Sequence, residues 1–299
     1  MLSRIVLLAG CIVTMFSCKG QQKTPELPEQ ADGKTMMWEI SGGGLSAPSW
    51  LYGTFHLMCP RDIRVSSSLR QVCAAVDRIY MELDMDDPSA LLGMLGEMNM
   101  KDGKQLGDLL SEKDMDRLKA FFRDTMKMPI GMLMSAKPMM LSSLLYPKLS
   151  GCNASGGMET AIMKLARENK KEIVGLETFA FQAGLFDSIP YETQARELME
   201  MIDSMGLQRK YFDTMTAMYL RQDLDEMASL FSRPEYGMLQ QQDLLLDRRN
   251  RNWVGQLKTI LPKERVLIAV GAGHLAGPNG LISLLRKEGF RLWPIKNRD

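Results

Sequence analysis

Short apolar runs recur along the chain at wide intervals. They are residues 36–40 (MMWEI), 49–54 (SWLYGT), 78–83 (RIYMEL), 172–176 (EIVGL), 265–270 (RVLIAV) and 290–295 (FRLWPI). Runs of this length, bounded by turn residues, predict β-strands. The first two are separated by SGGGLSAP, a glycine-rich turn that predicts an antiparallel pair. Between the runs, apolar positions return with helical period over residues 67–76, 106–122, 157–168, 191–205, 207–220, 223–231, 238–261 and 281–288. Strands alternating with helices predict an α/β fold: a mixed β-sheet flanked by helices, with the long helical middle as an insertion or cap.

The first eighteen residues, MLSRIVLLAGCIVTMFSC, carry a different pattern. One charge, Arg4, precedes an apolar run that ends at the small residue Ser17 and Cys18. That is the shape of a secretory signal, and the run is too short to span a bilayer permanently. A small residue before a cysteine resembles a bacterial lipoprotein box, so residues 1–17 are expected to be removed and Cys18 to be lipidated. Residues 18–34 hold two prolines and three glutamines and read as a flexible tether. Residues 35–299 are then a single domain, exported and held to a cell-envelope membrane by lipid.

Composition narrows the partners. The full chain has 37 basic and 36 acidic side chains; without residues 1–17 the two counts are equal. A neutral chain lacks the positive field that nucleic-acid binding needs, so no nucleic acid is expected. Excluding Cys11 and Cys18 leaves Cys59, Cys73 and Cys152, which allow one disulfide in any of three pairings, or three thiols that pack. Methionine is abundant, 26 in all, with twelve between residues 81 and 140. Most are expected to fill an irregular core, the alternative being an adaptable groove for peptides.

The chemistry lies in an echo. Gly53-Thr54-Phe55-His56 follows one predicted strand and Gly271-Ala272-Gly273-His274 follows another, with leucine next each time. These are the only two histidines. In open α/β sheets, ligands bind at strand ends. Two imidazoles in matching positions suggest a shared divalent ion, zinc, manganese or cobalt, completed by a carboxylate. Glu82 and Glu177 each stand at a strand exit; either serves as ligand, and the other as general base on bound water.

The paired GTFHL and GAGHL motifs, YMELD, GLET and DRRNRNW together resemble the TraB/GumN family of bacterial proteins, related to the Tiki metalloproteases. The resemblance runs from about Met36 to Ile295 and is most specific in VLIAVGAGHLAGPNGLISLLRKEGFRLWPI. It implies an α/β fold and a metal site at His56, Glu82 and His274. Arg249 and Asn250 match the family's Arg-Asn element and become candidates for polarising a substrate carbonyl or fixing the site. One departure is Glu159, standing where the family often has aspartate. The expected activity is metal-dependent hydrolysis of a peptide or protein, with Glu82, Glu177 and Arg249 as catalytic residues. The alternative is a non-catalytic envelope protein that sequesters a peptide signal. Two other readings fall away: Gly271-x-Gly273-x-x-Ala276 resembles a dinucleotide turn, but Pro278 interrupts the helix start and no acid follows for a ribose; Cys152 has no base in its neighbourhood of sequence.

Overall fold

A computed structural model describes residues 34–87, 96–152, 156–231 and 241–297. The signal, Cys18 and all of the tether but Lys34 lie outside the described residues. Six strands form one mixed sheet: β1 (Met37–Gly42), β2 (Ser49–Thr54), β3 (Arg78–Leu83), β4 (Glu172–Glu177), β5 (Val266–Gly271) and β6 (Phe290–Pro294), in the order β4-β3-β5-β2-β1-β6. β1 runs antiparallel to both of its neighbours, as the glycine-rich turn predicts for β2. The β4-β3-β5-β2 block is parallel. β2 is buried along its whole length and β5 nearly so, because helices cover both faces of the sheet there.

The fold is thus α/β, and the predicted strands stand within a residue or two of the observed ones. Helix Gly157–Glu168 has the bounds that its periodicity predicts. The stretch 106–122 is broken instead of continuous. Leu106–Leu109 ends at Leu110, and Ser111 starts a new helix, Glu112–Phe121, by accepting a hydrogen bond from the Asp114 amide. Helix Phe179–Phe186 (FAFQAGLF) gives no signal in sequence, because its apolar residues surround the axis and leave no period to read.

The main apolar core lies on the sheet. A second, smaller cluster sits between β3 and β4 in sequence and draws in Leu198 and Met199 from helix Tyr191–Asp203. Met100 and Met115 are buried in it, with Met126, Met128 and Met134 packed against it, so the methionine excess is largely core filler. Met85, 55% exposed, and Met132, 90% exposed, are exceptions. Lys137 is 1% exposed, and its ammonium pairs with Asp187 at 2.8 Å and the Ala183 carbonyl at 2.9 Å. That contact ties the helical insertion to helix Phe179–Phe186. Cys59 and Cys152 form a disulfide, and Cys73 is a buried free thiol.

Candidate active site at the carboxyl edge of the sheet

Strand register decides which side chains meet. Thr54 on β2 pairs with Gly271 on β5, Met81 on β3 with Ala269 on β5, and Leu83 with Glu177 on β4. His56, Glu82, Glu177 and His274 therefore leave four neighbouring parallel strands at the same edge. The edge is where such sheets bind ligands.

His274 closes the single 3-10 turn Ala272–His274 after β5 and is 4% exposed. Its Nδ1 lies 2.7 Å from the side-chain oxygen of Asn250. The orientation of that amide is set by its nitrogen, which donates to the Asn279 carbonyl at 2.8 Å. An amide oxygen only accepts, so His274 carries its proton on Nδ1 and presents the Nε2 lone pair to the site. Nε2 stands 3.7 Å from Glu82 Oε1 and 3.2 Å from Arg249 Nη1. Trp253 backs the ring, with centroids 4.4 Å apart.

Arg249 is the hub. It sits in the first turn of helix Arg248–Ile260, directly after a π turn, Asp243–Asp247. Insertions of this kind re-aim the residues that follow and recur at functional sites. Its Nε and Nη2 clasp Glu177, Nη2 also reaches Glu82 at 2.6 Å, and Nη1 donates to the Leu245 carbonyl and to His274. A guanidinium has five N–H donors, and these partners use all of them. Arg249 has no donor to spare for a substrate oxyanion in this arrangement. Glu177, its side chain 2% exposed, is likewise committed to holding the arginine. Gln182, one turn into helix Phe179–Phe186, donates to Glu82 at 3.3 Å and Glu177 at 3.1 Å.

The electrostatics follow from these contacts. Burial works against a charge on Glu82, yet His274, Arg249 and the Gly271 amide hold its carboxyl down at about 2. Burial pushes the His274 imidazole down to about 4, the pull of Glu82 being offset in part by Arg249. At neutral pH His274 is therefore uncharged, and the attraction on Glu82 comes from Arg249. Two carboxylates against one guanidinium leave the cluster with one negative charge.

His56 belongs to the same edge but not to this network. It is exposed, while Phe55 anchors its loop by packing on Phe212 and Tyr219, ring centroids 5.8 and 5.6 Å away. Its neighbour is Glu159, in the first turn of helix Gly157–Glu168. Burial pushes the Glu159 carboxyl above its ordinary range; the charge of His56 and the Thr54 hydroxyl oppose that rise, and the charge of Glu82 adds to it. Glu159 Oε2 and the Thr54 hydroxyl are buried, with no hydrogen-bond partner beyond each other. Sequence marks Glu159 only as a departure from the family pattern and gives no sign of Gln182. Glu159 is findable as an acid opening a helix; Gln182 is hidden in a helix without a period. Among the described residues, no three histidine, cysteine, aspartate or glutamate side chains already stand grouped as a metal cage. Among the described residues, no helix is long and apolar enough to cross a membrane.

A family model described as the TraB/PrgY/gumN family matches residues 36–294. Neither a curated protein nor a solved structure matches the chain.

Proposed function

The chain belongs to the TraB/PrgY/gumN family, and on that premise we propose that it is a metal-dependent hydrolase of peptide bonds acting in the cell envelope. The observation that carries the reading is the pair formed by His274 and Glu82. A neutral imidazole, its Nδ1–H already satisfied by Asn250, presents an Nε2 lone pair that accepts from Arg249 and lies 3.7 Å from an ionised carboxylate. This is how a metal-ligating histidine is prepared, with its second nitrogen fixed by an outer partner. His56 is the exposed third donor, and Glu159 Oε2 is a buried acceptor with no partner beyond the Thr54 hydroxyl. Chemically, this donor set suits zinc, manganese or cobalt. His274 Nε2, which now accepts from Arg249 Nη1, would be the nitrogen that holds the ion.

When bound, the ion supplies Lewis-acid polarisation of a substrate carbonyl. The remaining work falls to the chain. Glu177 and Gln182 fix Arg249 and Glu82, and Asn250 fixes the His274 tautomer. Glu159, a buried carboxyl beside His56, would take the proton of the attacking water. Met85 and Phe181, 55% and 45% exposed just past β3 and β4, offer apolar surface to side chains flanking the scissile bond. A disulfide between Cys59 and Cys152 suits the oxidising compartment that a lipidated, exported protein with its anchor at Cys18 occupies.

The test is metal analysis of the purified chain, wild type against His56→Ala and His274→Ala, followed by digestion of a peptide library with and without chelator. Lost metal and lost cleavage in both variants is the expected result. Undiminished metal content in both removes the mechanism. Metal bound with no peptide cleaved turns the reading towards sequestration of a peptide.

A further inference from the structure

The site has two halves carried by different segments. Glu82, Glu177, Arg249 and His274 are locked together by hydrogen bonds, whereas His56 and Glu159 stand on two segments far apart in sequence. Besides the packing of Phe55 and Met158 in one core, the two segments meet through backbone contact at one point and a cross-link at another. The Met158 amide donates to the Phe55 carbonyl at 3.3 Å. Gly157, at φ +45°, packs so closely that a Cβ there would fall 2.2 Å from the Phe55 oxygen and 2.6 Å from His56 Cα. The disulfide joins the same two segments: Cys59 lies three residues after His56, and Cys152 precedes Gly156, where the turn into the Glu159 helix begins. Cys59 is 4% exposed, so its end of the cross-link is seated in the fold.

We propose that the Cys59–Cys152 disulfide is a positioning device for the site, holding His56 against Glu159. Phe55 and Met158 pack in the core, but His56 itself is exposed, with no hydrogen bond to the Arg249 network. The cross-link supplies the constraint that the other half obtains from Arg249. Cysteines 59 and 152 act through His56 and Glu159 and touch no substrate. The proposal rests on reading His56 and Glu159 as working members of the site; its main test needs neither metal nor turnover, so the two readings fail separately.

The chain has two histidines, so imidazole NMR yields two signals, with His274 an internal reporter of the folded core. Glu159→Gln is compared in the disulfide-bonded protein and in the Cys59→Ser/Cys152→Ser variant. In the bonded protein the substitution should move the His56 signal; in the cystine-free protein it should leave that signal in place, with His274 unmoved throughout. Wild type reduced with dithiothreitol provides a second cystine-free form. In the same cystine-free protein, zinc affinity should fall about 10- to 100-fold, the usual cost of losing a ligand's outer support. An equal movement of the His56 signal with and without the cross-link overturns the proposal, as does no movement in the bonded protein. Loss of the folded His274 signal in both cystine-free forms also overturns it, in favour of a cross-link that only stabilises.

Discussion

Arg249 is the side chain on which the site's internal balance turns. Its guanidinium, 9% exposed, neutralises a Glu177 carboxylate that is 2% exposed, and removing one partner of a buried pair strands the other charge. Arg249→Met should lower stability by about 3–5 kcal/mol in urea unfolding, and a second change, Glu177→Leu, should restore part of it. His274 makes a prediction of a different kind. The unfolded imidazole takes up its proton near 6.5, but in the fold it waits until about 4. The unfolded chain therefore binds more protons in between, and stability should fall as pH drops from 6.5 to 4. Glu82, held at about 2 against 4.5 when unfolded, adds a loss of the same sign below pH 4.5. Melting temperature followed against pH should show both slopes, and His274→Gln should flatten the upper one.

Among elements, two glycines separate close approach from idle flexibility. Gly157 cannot accept a side chain, since its φ is positive and the Phe55 carbonyl occupies the space. Gly157→Ala should cost at least about 1–2 kcal/mol, the penalty of left-handed backbone alone, and should displace the His56 NMR signal. Gly184, inside helix Phe179–Phe186, has nothing within 4 Å of the place an alanine methyl would take. Gly184→Ala should therefore stabilise by about 0.5–1 kcal/mol in the same unfolding assay. The contrast between helices also explains what is readable from spacing. The strand β3, RIYMEL, and the helix Gly157–Glu168 carry their periods openly, so their places are legible. Helix Phe179–Phe186 is apolar all round, and with it Gln182 stays out of view.

Across the whole molecule, the covalent and buried cysteines define the reactivity to expect. Burial pushes the Cys73 thiol up to about 12, despite the opposing charges of Arg70 and Lys171. At pH 8 the native protein should resist alkylation with iodoacetamide at Cys73 and react only once unfolded, as mass spectrometry would show. The disulfide spans 93 residues of sequence. Closing so long a loop restricts the unfolded chain strongly, and reduction should lower stability by about 2–5 kcal/mol, measured in urea with and without dithiothreitol.

The two G-x-x-H motifs, Glu82 and Glu177 are legible because strand ends announce themselves through local pattern: an apolar run, a glycine, a polar residue. That pattern places all four at one edge of a parallel sheet, and the observed register bears this out. Local pattern says nothing of which partner claims which atom. Only packing of helix Arg248–Ile260 against the sheet set Arg249 between two carboxylates and His274, used up its donors, and fixed the imidazole tautomer through Asn250. The same holds for the cysteines, whose three pairings are equal in sequence until folding brings Cys59 to Cys152 and buries Cys73. Element identity is written in spacing along the chain, whereas charge pairing and cross-linking depend on distances that exist once remote segments meet.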